Sequence, residues 1–191
     1  MSEHIKSLIQ ASITTKEKLL ADERLVACIA EVSDLITTAF KNGRRVYFCG
    51  NGGSAADAQH LAAELSGRFY KNRLALPAEA LHCNTSYLTA VANDFGYDLI
   101  YARLVEGIME KGDVLLGFST SGNSPNIIAA FEMARKKGVH TIGLTGANGG
   151  ALRALSDYLF NVPSDDTPRI QESHILVGHI ICQLVEASYF S

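Results

Sequence analysis

Apolar residues recur every three to four positions between Ile5 and Ile13, and again between Ile29 and Phe40. This spacing predicts two amphipathic helices, over about residues 2–20 and 24–42. The first helix lies outside the alternating pattern that follows it. A spare amphipathic helix in a short chain is often used between subunits, so it points to an oligomer.

From Arg44 onward the pattern changes to short apolar runs separated by segments with helical spacing. Continuous apolar strands that alternate with helices are typical of a parallel sheet covered by helices on both faces. We therefore predict an α/β fold with a central five-stranded parallel sheet, in one domain over residues 1–191. The predicted strands are 46–49, 79–82, 114–118, 139–144 and 158–162, and the predicted helices after the first two begin at Ser54 and cover about 86–93, 98–109, 124–137 and 168–189.

Parallel sheets of this kind bind ligands at the carboxyl ends of their strands. Candidate functional residues should therefore lie in the loops that follow Cys49, His82, Phe118, Leu144 and Val162. Two of these loops have a distinctive composition, one rich in glycine and the other in hydroxyl groups.

The glycine-rich loop over residues 50–54 reads Gly-Asn-Gly-Gly-Ser and leads into a helix. Glycines let backbone N–H groups approach an anion, and the helix dipole adds to the attraction, so the loop suits a phosphate or a polyol. A tight turn without a ligand is an alternative. A dinucleotide site is another, but it needs an acidic residue after the second strand, where this chain has His82-Cys83-Asn84. A nucleotide-binding P-loop is excluded, because the Gly-Lys-Ser/Thr sequence that it requires is absent.

The loop after the third strand carries four hydroxyl side chains within the six residues 119–124. Hydroxyl and amide groups can surround the terminal oxygens of one phosphate monoester. Ser124 followed by Pro125 is also a typical start of a helix, with the serine as the N-cap. Capping accounts for those two residues but not for the whole cluster, which makes this loop the better phosphate site.

His60 and Glu64 lie four residues apart on one helix, a spacing that can present two ligands to a divalent ion or form a solvated ion pair. The last helix adds Gln171, His174 and His179. We interpret His174 as a surface histidine or a satisfied core histidine, and His179 as the better candidate for a ligand or an acid/base group.

Gln171 and His179 are separated by eight residues, or about 12 Å along an ideal helix and about 80° around it. If both belong to one site, three arrangements remain open. The side chains stretch towards each other, the helix begins irregularly near Gln171, or two subunits contribute one residue each.

Composition narrows the function classes. The chain has 191 residues, a net charge of -3 and 47% hydrophobic residues, which gives no basic footprint for nucleic acid. Residues 1–20 contain neither a membrane span nor an apolar signal stretch, so we expect a cytoplasmic protein. Four cysteines without metal-type spacing are expected to be reduced and buried.

The chain resembles the sugar isomerase (SIS) domain family, and within it the phosphoheptose isomerases, over essentially its whole length. The resemblance rests on six segments, which are Cys-Gly-Asn-Gly-Gly-Ser (49–54), Gln-His-Leu-Ala-Ala-Glu-Leu-Ser-Gly-Arg (59–68), Ala-Asn-Asp-Phe-Gly (92–96), Gly-Asp-Val-Leu-Leu-Gly-Phe-Ser-Thr-Ser-Gly-Asn-Ser (112–124), Leu-Thr-Gly (144–146) and Arg-Ile-Gln-Glu-Ser-His (169–174).

This resemblance implies a three-layer sandwich of the flavodoxin-like or Rossmann-like kind, with residues 1–42 as an N-terminal helical extension that packs between subunits. It also implies conversion of sedoheptulose 7-phosphate to D-glycero-D-manno-heptopyranose 7-phosphate, the first step towards ADP-heptose for bacterial surface polysaccharide. A homotetramer with active sites near subunit interfaces and one zinc ion per subunit are implied too.

Carried over by position, the implied zinc ligands are His60, Glu64, Gln171 and His179. The implied substrate contacts are Asn51, Gly52, Gly53, Glu64, Asn93, Asp94, Ser119, Thr120, Ser121, Ser124 and Gln171.

Isomerisation of a ketose needs a base beside the carbonyl and an acid for the enediol. We assign these roles to Glu64 and His179, with Asp94 as the alternative base if zinc binding weakens Glu64. Two rival functions remain. One is a regulator or a partner of replication initiators that binds sugar phosphates without catalysis, and the other is an isomerase for pentose or hexose phosphates. The complete set of candidate ligands favours an enzyme over a binding module.

Overall fold

The computed structural model describes all residues from 1 to 191. Five parallel strands form one sheet, as the apolar runs predict, and the structure shows their order to be β2-β1-β3-β4-β5. The strands are β1 (Val46–Gly50), β2 (Ala78–Ala80), β3 (Val114–Phe118), β4 (His140–Thr145) and β5 (Tyr158–Asn161). The helices are α1 (Ser2–Ala21), α2 (Glu23–Lys41), α3 (Gly53–Ser66), α4 (Thr85–Phe95), α5 (Ile100–Ile108), α6 (Pro125–Lys137) and α7 (Thr167–Tyr189).

The sheet is buried on both faces, which explains why its strands are continuously apolar. Along β1 successive side chains alternate between the two hydrophobic cores. Phe48 packs into the core shared with α2, α3 and α7, whereas Tyr47 and Cys49 pack into the core shared with α5 and α6. The predicted three-layer α/β sandwich is therefore confirmed.

The strand order places the ligand crevice. The order reverses between β1 and β3, which pair directly from Val46 with Val114 to Gly50 with Phe118. Ligands on doubly wound sheets bind outside the carboxyl ends of the strands at such a reversal. The glycine-rich loop after β1 and the hydroxyl loop after β3 therefore meet at the same edge of the sheet.

Strand β2 is shorter than predicted. The sequence suggests 79–82, but the strand covers Ala78–Ala80 and pairs only with β1, over three residues. It is an edge strand, so one partner decides its length, and His82 lies beyond its end. Two short 3₁₀ helices are also present. Tyr97–Leu99 overlaps the start of the predicted helix 98–109, whereas Gly150–Ala154 lies in a segment for which the sequence predicts no helix.

Helix α1 lies against α7 and leaves an apolar row open to solvent. Ser12 Oγ donates to Glu172 Oε2 at 2.6 Å, and Arg169 donates to the carbonyl of Leu8 at 2.7 Å. Ile5 and Ile9 of α1 are nevertheless 51% and 57% exposed. The expectation that residues 1–42 pack between subunits stays a prediction.

The cysteines are all free, but the expectation that all four are buried is wrong. Cys49 and Cys182 are buried and Cys28 is partly buried, whereas Cys83 is exposed because it follows the edge strand β2 in an open loop. None of the helices has both the length and the apolar character needed to cross a membrane.

Candidate active site

The glycine-rich loop makes a sharp turn from β1 into α3. Gly52 has φ +57°, a value that favours glycine, and a Cβ on Gly50 would lie 2.4 Å from the carbonyl oxygen of Ser54. Asn51 is locked by two amide hydrogen bonds with Asn126, at 2.8 and 2.9 Å. The turn is thus rigid, and its glycines are required by backbone geometry as well as by any ligand.

The hydroxyl loop between β3 and α6 is arranged partly by its own hydrogen bonds. Ser119 Oγ and Ser124 Oγ lie 2.9 Å apart, and Ser121 Oγ accepts from the N–H of Asn123 at 3.1 Å. The expected side-chain cap by Ser124 is wrong, because its hydroxyl pairs with Ser119 and bonds no helix amide. Ser124 and Ser119 therefore point into the loop, at the amino end of α6.

The loop opens onto a cavity of about 330 Å³ at the same edge of the sheet. Thr120, Ser121 and Asn123 line one side of the cavity, and Asp165 and Thr167 line another. Hydroxyl and amide groups dominate the wall, so the cavity suits a polar ligand. The cavity size is compatible with a phosphorylated sugar.

His60 and Glu64 on α3 face His179 on α7. His60 Nε2 lies 3.1 Å from His179 Nε2 and 3.1 Å from Glu64 Oε1. One ligand atom from each of the three side chains lies within 4.8 Å of the other two. The structure therefore brings together three of the four sequence-predicted metal ligands, from two helices of one chain.

The cluster is partly open to solvent, and its other two side chains shift the pKa of His179 in opposite directions. The side chains of His60 and Glu64 are 50% and 25% exposed, which leaves room for a substrate. Partial burial and the neighbouring His60 lower the pKa of His179, while Glu64 opposes the shift. A neutral imidazole of this kind can act as a metal ligand or exchange a proton near neutral pH.

Close packing of α3 against α7 sets the distance across this cluster. Gly178 precedes His179, and a Cβ at that position would lie 2.2 Å from a methyl carbon of Leu61, the neighbour of His60. A side chain at position 178 would therefore require the buried side chain of Leu61 to move.

Gln171 does not contact the three-residue cluster within the chain. Gln171 Nε2 lies 3.5 Å from Ser54 Oγ. The same nitrogen would lie only 2.8 Å from a Cβ atom added to Gly53, so the Gln171 side chain packs against that glycine. Because Ser54 and His60 are six residues apart on α3, this contact lies about 9 Å from the cluster along the helix. Helix α7 is regular from Thr167, so the irregular start considered from the sequence is wrong.

Two further sets of candidate residues are Asn93 with Asp94 on α4, and His174 on α7. Asn93 and Asp94 are exposed near the end of α4, where their side chains bond each other at 2.8 Å. Tyr97 follows them and donates to Asn51 Oδ1 at 3.2 Å, which brings this segment to the glycine-rich loop.

His174 is completely buried and bonds the carbonyl of Thr145, as expected for a core histidine.

The cluster fits a zinc ion by its chemistry and spacing. Two imidazole nitrogens and one carboxylate form a common catalytic zinc set, and ligand atoms around a tetrahedral zinc lie about 3.3 Å apart. His60 Nε2 lies 3.1 Å from His179 Nε2 and 3.1 Å from Glu64 Oε1, and both distances are close to that spacing.

Comparison with known proteins agrees with this fold and site. The SIS domain model matches residues 11–146. A phosphoheptose isomerase from Aneurinibacillus thermoaerophilus is 52% identical over 190 residues, which cover 100% of this chain and 96% of the relative. One from Nitratiruptor is 50% identical over 189 residues, which cover 99% of this chain and 100% of the relative.

Solved structures give the same result. The phosphoheptose isomerase from Francisella tularensis superposes with a TM-score of 0.93 at 36% identity, covering 97% of each chain. The one from Neisseria gonorrhoeae has a TM-score of 0.91 at 41% identity and covers 97% of this chain and 98% of that one. The fold and the His/Glu cluster thus define a SIS domain protein of the sugar phosphate isomerase class. Within that class, the chain belongs to the phosphoheptose isomerase family.

Sequence reasoning missed the residues that hold the site together. Asn126 and Tyr97 both bind Asn51, and Phe69 stacks on His179 with ring centroids 5.8 Å apart. Asn126 lies 75 residues from its partner, so no local motif marks it. Its only sequence signal is a polar residue in the first turn of α6, directly before the apolar run 127–131.

Proposed function

We propose that the protein converts D-sedoheptulose 7-phosphate to D-glycero-D-manno-heptopyranose 7-phosphate. The observation that carries this proposal is the cluster of His60, Glu64 and His179, which joins a carboxylate and two imidazoles in a chain of the phosphoheptose isomerase family. We further propose that the reaction supplies ADP-heptose for bacterial lipopolysaccharide or surface polysaccharide. Four free thiols are compatible with the reducing cytoplasm.

The two acid/base roles fall to Glu64 and His179. Glu64 removes the proton from the carbon beside the ketone, and His179 delivers a proton to the former carbonyl carbon of the enediol. One proton leaves a carbon and one is returned to its neighbour, while the hydroxyl proton of the first carbon passes to the former ketone oxygen. The two carbons exchange oxidation level within the sugar, so the reaction needs no external oxidant or reductant. The lowered pKa of His179 favours its neutral form at neutral pH, which is the form of imidazole that binds a metal ion.

The proposed metal is zinc, held by His60, Glu64, Gln171 and His179. When bound, zinc would polarise the substrate carbonyl and stabilise the charge of the enediolate. Glu64 and His179 would then act as base and acid only when released from the metal, since a tightly bound carboxylate is a weak base and a metal-bound imidazole nitrogen carries no proton. Asp94 is the alternative base, and its exposed position on α4 allows it to approach a substrate in the crevice.

The rest of the substrate would lie along the edge of the sheet. We assign the phosphate to Ser119, Thr120, Ser121 and Ser124, whose hydroxyls line or adjoin the polar cavity. The sugar hydroxyls are assigned to residues of the glycine-rich loop, the end of α4 and the start of α7, which are Asn51, Gly52, Gly53, Asn93, Asp94 and Gln171.

We propose a homotetramer in which the site lies near a subunit interface. Gln171 contacts Ser54 and His179 contacts His60, so the two ligands act at different places on α3 of one chain. Either the Gln171 side chain moves by about a helical turn and a half, or a second subunit supplies it. Mixed oligomers of Gln171→Ala and His60→Ala chains test the second possibility, because restored activity requires a shared site.

The experiment that tests the function is an assay of the purified protein on ketose phosphates with five, six and seven carbons, with and without zinc. We expect isomerisation of the seven-carbon substrate, with kcat/KM at least tenfold above the others. Equal or better turnover of a shorter sugar would reassign the substrate. Tight binding of every sugar phosphate without isomerisation would make the protein a binding module instead.

A further inference from the structure

A buried ion pair lies directly behind the candidate active site. Arg73 Nε donates to Glu186 Oε1 at 2.8 Å, and the two side chains are only 2% and 3% exposed. Buried ion pairs are costly unless every remaining donor and acceptor is satisfied, and they are not by themselves a source of stability. The partners of this pair therefore indicate what it does.

The guanidinium of Arg73 closes the carboxyl end of α3. It donates to the carbonyl oxygens of Glu64 at 2.9 Å, Leu65 at 2.8 Å and Gly67 at 3.2 Å. Carbonyls in the last turn of a helix have no partner within the helix, and a cation there also interacts favourably with the helix dipole. Arg73 thus holds the backbone of Glu64 itself.

The carboxylate of Glu186 holds the loop that follows α3. It accepts from the N–H groups of Phe69 at 3.2 Å, Tyr70 at 2.8 Å and Lys71 at 2.9 Å. Burial raises the pKa of Glu186, but these N–H groups and Arg73 outweigh burial and leave it below its ordinary value. The charged carboxylate is therefore the form that holds the loop.

Both halves of the pair lead to the reacting side chains. Phe69, fixed by Glu186, stacks on the imidazole of His179 with ring planes inclined by 27°. Glu186 and His179 belong to the same helix, α7, while Glu64 belongs to α3. The ion pair connects the two helices that supply the cluster, next to the point where α3 ends.

We propose that Arg73 and Glu186 are positioning residues that hold Glu64 and His179 at the separation needed to bind a metal ion and transfer protons. The inference rests on the proposed function, because it acts through those two side chains. Residues behind the ligands of a metal site commonly change its metal affinity or activity by about 10-fold to 100-fold.

The test uses the full-length protein and two variants, Arg73→Lys and Glu186→Gln, that keep the size of the side chains. Cobalt(II) binding to the metal-free protein is followed by visible absorption, which reports both affinity and coordination geometry. We expect cobalt affinity to fall at least tenfold and the absorption spectrum to change. At saturating cobalt, kcat should fall at least tenfold while KM for the sugar phosphate stays within twofold.

Two control variants separate positioning from general loss of stability. Glu110→Gln makes the same chemical change in the exposed ion pair with Arg44, where the Glu110 side chain is 77% exposed, and should change nothing. Val105→Ala opens the core on the opposite face of the sheet and should lower the melting temperature without changing cobalt affinity.

Folded ion-pair variants with wild-type cobalt affinity, spectrum and kcat would overturn the inference. If neither variant folds, Phe69→Leu keeps the ion pair and removes only the stacked ring, and unchanged cobalt binding in that variant would overturn it as well. A wild-type protein that neither binds cobalt nor isomerises would defeat the proposed function, and the inference with it. A wild-type protein that binds cobalt and isomerises, together with folded variants that match it, would defeat the inference alone.

Discussion

The reacting cluster and the hydroxyl loop are built differently. His60, Glu64 and His179 lie on two helices that pack closely where Leu61 of α3 meets Gly178 of α7. The hydroxyl loop is a turn between β3 and α6, held by hydrogen bonds among its own side chains. Proton transfer demands fixed positions for a few groups, whereas a phosphate can be held by many weak donors.

Metal removal should have the largest effect on the reacting cluster and almost none on the hydroxyl loop. We expect isomerase activity to fall more than a thousandfold in verified metal-free protein and to return with zinc. Binding of inorganic phosphate, measured by calorimetry, should stay within twofold. Full activity of the metal-free protein would restrict any metal to a structural role.

Glu64→Gln should lower kcat by about a thousandfold, since general acid–base catalysis contributes about 10² to 10⁴ in rate. The amide keeps the shape of the side chain, so we expect the fold and KM to be retained. Steady-state kinetics with metal content measured on the same sample check this prediction. Near-normal turnover would transfer the role of base to Asp94, and Asp94→Asn is the matching variant.

Ser119→Ala and Ser121→Ala should affect the other side of the comparison. Loss of a hydrogen bond to a charged group costs about 1.5–3 kcal/mol, so KM should rise about tenfold or more while kcat changes little. Ser188→Ala, an exposed serine near the end of α7, is the control. A fall in kcat at unchanged KM would remove these hydroxyls from the phosphate site.

The smallest effect on activity is expected from His174, which shares α7 with His179 but is buried. Burial lowers the pKa of His174 to about 4, although the carbonyl of Thr145 opposes the shift. The unfolded chain takes up this proton near pH ~6.5. As the pH falls from 6.5 to 4, the unfolded state therefore gains a proton that the folded state does not, and stability decreases by about 3 kcal/mol.

Urea denaturation of the wild type and His174→Gln between pH 4 and 7 checks this expectation. The variant should show a weaker pH dependence in that range. His140→Gln, which changes an exposed histidine on β4, should follow the wild type. Parallel curves for the wild type and His174→Gln would contradict the assigned pKa.

Local patterns predict the fold well because the strands of a covered parallel sheet are continuously apolar. They also predict the two loops at the carboxyl edge and the meeting of His60 with Glu64, which needs only helical spacing. The edge strand β2 was misplaced because its length depends on a single partner strand. Contacts such as Asn51 with Asn126 join residues distant in sequence and leave no local mark.

The position of Gln171 shows the same limit. Its distance from His179 along α7 follows from helix geometry, but its contact with Ser54 depends on how α7 crosses α3. The Arg73–Glu186 pair spans 113 residues and is equally invisible in the sequence. Tertiary packing, rather than any motif, therefore decides which predicted residues meet.

Gly178 gives this arrangement a mechanical meaning. Because Gly178 has no side chain, Leu61 of α3 can pack closely against α7, and the imidazole nitrogens of the adjacent residues His60 and His179 lie 3.1 Å apart. A methyl group added at position 178 would overlap Leu61, and we expect it to move the two imidazoles apart. The width of the reacting cluster thus depends on the absence of one side chain.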